Sequence, residues 1–344
     1  MILIFEPVLG IEYFYYGSYF ENIKKNNEES RKYYIQGSKL KCIYSMTMMG
    51  NLYQKKEQYD KAIKYHKRSG LSISLKKLGD IYSDNFKDYE TAKKYYLEAI
   101  NLGDVRAMYA LGYQYDIIHK DYEMAIKYYE MASNSGDSLN NLGYIYQHIY
   151  NDYDKAKHYY ILSSNLDCIS AYYNLGCLYE EKDNNIKMAK ECYLKTIKLD
   201  NESVYAIYRL GVIYSEKNKI RAKRYFQMSA NLGDADSMFE LYELYLEECD
   251  LVNAEKYLIL AYENGLEDTT YTLAKFYHVH KNNMELSEKY YKLCIDHNPK
   301  AVDKLLHLYV HYNKYVEAFI LVSTHKKESS PELLKILFQN EICC

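Results

Sequence analysis

Apolar residues recur along this chain in short clusters of helical spacing, separated by polar turns, and the clusters themselves repeat. Nine times, at intervals of 29 to 35 residues, a Leu (once Met) stands four residues before a Tyr: Met49/Tyr53, Leu78/Tyr82, Leu111/Tyr115, Leu142/Tyr146, Leu175/Tyr179, Leu210/Tyr214, Leu241/Tyr245, Leu273/Tyr277 and Leu305/Tyr309. Self-similarity at such a period marks a stack of one small unit that buries its apolar face against its neighbours. Residues 107–137 show the unit most clearly. Met108, Leu111 and Tyr115 fall at i, i+3 and i+7, and Tyr122, Ala125, Tyr129 and Ala132 show the same signature after a short connecting stretch. Two amphipathic helices joined as an antiparallel hairpin follow from that spacing. Gly136 and Asp137 then supply a helix stop and the N-cap of the next hairpin.

Gly50, Gly79, Gly112, Gly143, Gly176 and Gly211 follow the Leu column and lie inside the first helices. An interior Gly costs a helix about 0.8–1 kcal/mol against Ala. The column therefore predicts close approach, with a second backbone standing where a side chain would be. The second helices carry their own small column at Ala62, Ala92, Ala125, Ala156, Ala189, Ala222, Ala254, Ser287 and Ala318. Aromatic pairs such as Tyr95-Tyr96, Tyr128-Tyr129 and Tyr159-Tyr160 come three and four residues later. Small holes on one helix are expected to meet large rings on the other.

The recurring Leu-Gly-x-x-Tyr, then Ala, two aromatics, a small residue and Gly or Asp resembles the Sel1-like and tetratricopeptide repeat families over roughly residues 38 to 323. Gly103, Gly136, Gly233 and Gly265 at unit ends are similar to Sel1-like repeats, and Asn298-Pro299 with the short linkers to tetratricopeptide repeats. The resemblance implies an all-α fold, an α-solenoid coiled as a right-handed superhelix of antiparallel helix pairs. Gly17 with Tyr33-Tyr34 fits a degenerate unit ahead of the nine. The expected organisation is an N-terminal degenerate repeat or cap over 1–37, about nine repeats over 38–323, and a capping helix with a short Cys-ended tail over 324–344. Ser330-Pro331-Glu332 reads as the start of that last helix.

Composition narrows the function. Only 3 Pro and 14 Gly stand among 344 residues, whereas Tyr numbers 45 and Trp none, so Tyr takes over the packing positions. The formal net charge is −3, with cations and carboxylates interleaved, which argues against nucleic acid as a partner. The eight Cys form no C-x-x-C pair and read as reduced thiols of a cytoplasmic protein. His307 and His311, with His278 and His280 one unit earlier, are half of a metal-site pattern and more simply solvated surface His. No nucleophile motif, phosphate loop or dinucleotide fingerprint is present, so neither an enzyme nor a bound cofactor or metal is expected. Cys343-Cys344 would bring the chain to a membrane only if lipidated.

A non-catalytic scaffold that binds a peptide or helix of a partner protein in a concave groove is the function these features favour. In such stacks the first helices line the groove, so residues three before and one after the Gly column should face it. They are Tyr109 and Tyr113, Asn140 and Tyr144, Tyr173 and Cys177, Tyr208 and Val212, Phe239 and Glu243, and Tyr271 and Lys275. The next turn adds Asp116, Glu180, Glu181, Glu216 and Glu247 as an acidic border. Rings edged by carboxylates suit a segment with apolar and basic side chains. A Lys/Asn clamp for acidic tails is not matched, because Lys76 is followed by Asp80. Two other readings are an adaptor in ubiquitin-linked protein turnover and a lipid-anchored scaffold.

Overall fold

Helical periodicity in the sequence is realised throughout the residues that the structure, a computed structural model, describes: 9–266 and 269–324. The expected helix after Ser330 and the Cys343-Cys344 pair lie outside them. Among the described residues there are twenty α-helices and no strand, and the chain is an all-α solenoid. It divides after Asp183 into two compact units. The first unit contains the hairpins α1 (Gly10–Asn22) with α2 (Asn27–Lys39), α3 (Ile43–Gln54) with α4 (Tyr59–Ser69), α5 (Ser72–Asp80) with α6 (Tyr89–Asn101), α7 (Val105–Tyr113) with α8 (Tyr122–Met131), and α9 (Gly136–His148) with α10 (Tyr153–Ser164), then α11 (Ile169–Glu181). The second begins at α12 (Ile186–Leu199). It continues with α13 (Val204–Ser215) and α14 (Lys219–Asn231), α15 (Ala235–Glu247) and α16 (Leu251–Glu263), α17 (Thr269–Val279) and α18 (Met284–Cys294), and α19 (Pro299–His311) and α20 (Tyr315–Thr324).

The turn inside a hairpin is built by one recurrent device. A residue in the left-handed region, such as Lys87, Lys120, Asn151 or Asn282, reverses the chain. The next residue, Asp88, Asp121, Asp152 or Asn283, accepts a hydrogen bond from the backbone N–H three positions on and starts the second helix. Two first helices end differently. α5 and α7 run on into π-helical turns, Ile81–Asn85 and Gln114–His119.

Every member of the Leu column is buried, and in seven of the nine units the Tyr four residues later stacks on the first aromatic of the second helix. Tyr115 and Tyr128 lie 5.7 Å apart at 5°, Tyr146 and Tyr159 5.4 Å at 6°, and Tyr277 and Tyr290 5.7 Å at 5°. The second aromatic of each pair fills the glycine hole. A Cβ on Gly112 would stand 2.8 Å from the Tyr129 ring, on Gly143 2.6 Å from Tyr160, and on Gly211 2.5 Å from Phe226. This corrects the expectation of a second backbone: the glycines make room for a ring. With hydrogen at that position the first helix can lie directly against the ring. Between neighbouring hairpins, Lys93 Nζ sits 5.4 Å over the Tyr115 ring, Lys157 4.7 Å over Tyr179, and Lys223 3.6 Å over Tyr245. The surplus of Tyr therefore cements hairpins internally and to one another.

Candidate functional site

The first helices present two classes of residue, set by their offset from the Gly column. Residues three before it are half-buried rings that lean on the core of their own hairpin. Tyr109 is 5.9 Å from Tyr129, Tyr208 5.9 Å from Phe226, and Tyr271 5.9 Å from Tyr291. Phe239 rests 5.4 Å from Tyr242, and Tyr173 is partly buried. Most residues one after the column project further, although Cys177 and Val212 are partly buried. Tyr113, Tyr144 and Glu243 are exposed, with the Tyr144 ring 4.4 Å from His148. The leading rings thus serve the hairpin first, and the trailing residues carry the free surface.

The expected acidic border divides similarly. Glu216 is exposed and Glu180 partly buried. Asp116, by contrast, is buried and accepts a hydrogen bond from the Tyr129 hydroxyl at 3.4 Å, and burial holds its carboxyl above the usual range. Its position, four after Gly112, is where the hydroxyl of the ring over the glycine arrives. Gln147 holds Tyr160 at 2.9 Å, and Glu21 holds Tyr34 at 2.8 Å, from the same offset. Glu247 pairs with Lys219.

The first unit contains a cavity of about 430 Å³ between α5 and α7, beside both π-helical turns. Tyr109, Tyr113, Ile117 and Ile118 form its apolar wall, and Asp80, Asp84 and Lys87 stand opposite. Tyr113, Ile117 and Ile118 are 46, 42 and 41% exposed, an apolar surface that none of the described residues covers. Asp80 is committed: it takes hydrogen bonds from Lys76 at 2.9 Å and from the Tyr96 hydroxyl at 3.1 Å. Gln114, 2% exposed, also lines the cavity. Its Nε2 donates to the Tyr89 carbonyl at 2.9 Å, and its Oε1 has no partner among the described residues. Sequence reasoning named Tyr109 and Tyr113 and missed Gln114, Ile117 and Ile118. Two adjacent isoleucines in an otherwise polar connecting stretch were the available signal.

In the second unit α15 turns Asp236, Glu240 and Glu243 to one side at i, i+4 and i+7. Burial, then Glu243 and Asp236, push the Glu240 carboxyl above its ordinary range. Farther along the same unit, burial lowers the His278 imidazole, with His311, Lys304 and His307 adding repulsion. These groups gather, yet among the described residues no group of three or more His, Cys, Asp or Glu could hold a metal ion. Nor is any described helix long and apolar enough to cross a membrane. Amides missed in the sequence link neighbouring hairpins of the first unit: Asn174 Nδ2 donates to Asn140 Oδ1 at 2.9 Å between first helices, and Asn141 Nδ2 to the hydroxyl of Tyr129 on α8 at 3.1 Å.

Comparison with known proteins matches this geometry. A Sel1 repeat family model matches residues 8–42, 105–137, 137–168 and 204–234, and tetratricopeptide repeat models match 45–70, 77–102 and 169–203. No curated protein matches the sequence. Among solved structures, the fold is similar to a protective antigen of uropathogenic Escherichia coli strains that displays an SLR fold. There the TM-score is 0.65 at 17% identity, over 96% of this chain and 82% of that one. A Sel1 repeat protein from Oxalobacter formigenes superposes with a TM-score of 0.51 at 19% identity, over 63% of this chain and 99% of that one. At such identities the likeness is one of fold.

Proposed function

We propose that this chain, which belongs to the Sel1-like and tetratricopeptide repeat proteins, holds an extended or helical segment of a partner protein against its first-helix face. Repeat proteins of this kind are generally interaction scaffolds and generally non-catalytic. The cavity beside Tyr109 and Tyr113 is the anchor point, taking an apolar side chain against Tyr113, Ile117 and Ile118. One observation carries the reading: exposed apolar side chains, one of them a Tyr, wall one side of a cavity large enough for a bulky side chain. The rings that brace the wall are already fixed, since Tyr109 is held between Tyr113 at 6.3 Å and Tyr129. A partner therefore meets a preorganised surface and loses less entropy on docking.

The residues that carry the binding are Tyr113, Ile117 and Ile118, with Tyr109 as their support. In the second unit Glu243, Glu240 and Tyr208 offer an acidic and aromatic surface suited to basic side chains of a segment. A photo-crosslinking residue placed at 113 in the native cell identifies the partner by mass spectrometry. Affinity for the captured segment is then measured with the double variant Tyr113→Ala/Ile117→Ser. The expected outcome is at least about tenfold weaker binding, equal to roughly 1.4 kcal/mol, at unchanged helicity. Undiminished affinity in that variant removes the cavity as the seat.

A further inference from the structure

Charges that interleave along the sequence are sorted by the fold of the second unit. α12 carries Lys187, Lys190, Lys195 and Lys198 against Glu191, and α14 carries Lys219, Arg221, Lys223 and Arg224 with no carboxylate. Some of these cations are matched: Lys219 pairs with Glu247, and Lys223 with Glu248 at 2.6 Å. Lys187, Lys190, Lys217, Arg221 and Arg224 have no carboxylate partner among the described residues. Lys190 Nζ and Arg221 Cζ converge on one ring, 5.3 and 5.5 Å from the Tyr214 centroid, and so lie within about 11 Å of each other.

These cations also occupy the wrong end of their helices. The N-terminal turn of a helix is the positive end of its dipole and favours carboxylates. Second helices of the first unit obey this, with Glu28 and Glu29, Asp60, Glu90, Glu123 and Asp154 in their first turns. α12 and α14 have no acidic residue there and place Lys187, Lys219 and Arg221 instead. Beside them Ile220 is 84% exposed. Unpaired cations on a positive helix end do not stabilise the helix that carries them, which leaves these side chains available to a partner.

We propose that Lys187, Lys190, Lys217, Arg221 and Arg224, carried by α12, α14 and the turn before α14, form with the exposed Ile220 a docking surface for an acidic peptide segment of a partner protein. The segment carries an aliphatic side chain among its carboxylates. Charge complementarity sets its sign, and Ile220 sets the need for an apolar contact. A nucleic acid fits less well, because the ring among these cations, Tyr214, is stacked on Tyr225 at 5.7 Å and 6° and also carries Lys190 and Arg221 over it, which hinders stacking of a base. An anionic membrane fits less well too, because a broad anionic surface cannot avoid the exposed Glu191 and Glu216 as a narrow segment can. The surface is separate from the cavity of the first unit and does not rest on the peptide-groove reading.

The test is fluorescence anisotropy of the full chain with a labelled Glu/Asp-rich peptide bearing one central Leu, at low and high salt. The wild type binds this probe, and salt weakens the complex. Lys187→Glu/Arg224→Glu lowers affinity at least about tenfold, and Ile220→Ser lowers it severalfold. Tyr113→Ala/Ile117→Ser leaves it unchanged. Circular dichroism melts show the charge-reversed variant folded and no less stable than the wild type, which separates lost binding from lost structure. The proposal is overturned if the wild type does not bind, or if the charge-reversed variant binds as tightly. Tighter binding of a single-stranded oligothymidine or of phosphatidylserine vesicles through the same residues overturns it as well.

Discussion

Each ring that lies over the small-residue column has to place its polar edge somewhere, and the units solve this differently. Tyr160 donates to Gln147 at 2.9 Å, Phe226 has no hydroxyl to place, and the Tyr291 hydroxyl is buried with no partner among the described residues. Tyr291→Phe should therefore raise stability by about 1–2 kcal/mol, whereas Tyr160→Phe should cost about 1 kcal/mol. Urea titrations of the two variants check this, and a loss at position 291 equal to that at 160 would contradict it. The glycine beneath is equally specific. Gly143→Ala normally strengthens a helix by about 1 kcal/mol, but the new Cβ meets the anchored Tyr160 ring, and a net loss of about 1–3 kcal/mol is expected. In a Tyr160→Leu background the same change should turn neutral or favourable. His66 fills the ring position over Gly50, and burial lowers its imidazole to about 4. Above an unfolded pKa of about 6.5 both states are neutral and stability is complete. As the pH falls from there toward 4, the unfolded chain takes up the proton first, and stability drops by up to roughly 3 kcal/mol. His66→Phe should abolish that share of the acid loss, seen as a flatter dependence of the melting temperature between pH 6.5 and 4.

At the scale of the helix, the hairpin pattern was legible because Leu111, Tyr115, Ala125 and Tyr129 recur at fixed offsets, and burial follows those offsets. The identity of the packing partner was not. Spacing shows that Gly143 needs a close neighbour, but whether that neighbour is backbone or ring depends on how the second helix is rotated, which no local pattern states. The two π-helical turns were likewise invisible, since one extra residue in a turn can be absorbed as loop or as a wider helical turn, and the choice rests on tertiary packing. That choice places Ile117 and Ile118 beside the cavity, and so half of the candidate site escaped the sequence. First-turn chemistry is the feature of a helix that the sequence does state. Lys187→Glu and Arg221→Glu restore the carboxylate that the second helices of the first unit carry, and each should stabilise the fold by about 0.3–1 kcal/mol at low salt. Paired melts at low and high ionic strength test it, with the gain shrinking as salt rises. A gain that ignores salt would assign the effect to something other than the dipole.

For the molecule as a whole, the same local rule governs how damage spreads. The Tyr stacks and the Lys-over-Tyr contacts join a helix to its own hairpin or to the next one, as Lys93 joins Tyr115 and Lys157 joins Tyr179. In such an array stability is close to a sum of unit and nearest-neighbour contributions, so a fault in one hairpin is felt locally. The division into two compact units after Asp183 sharpens that expectation. Gly143→Ala should speed amide hydrogen exchange in α9, α10 and the adjoining α8 and α11, by a factor of about 5 to 150 for a local loss of 1–3 kcal/mol. Helices α15 to α18 of the second unit should keep wild-type exchange under the same mildly destabilising conditions. Peptide-resolved exchange followed by mass spectrometry distinguishes the cases. If α15 to α18 lose protection together with α9 and α10, the chain unfolds as one cooperative body and the nearest-neighbour account of its stability fails. If they do not, a partner seated at the cavity of the first unit and one at the basic edge of the second can each stabilise its own surroundings without the other, and ligand-induced protection should map to separate stretches of the chain.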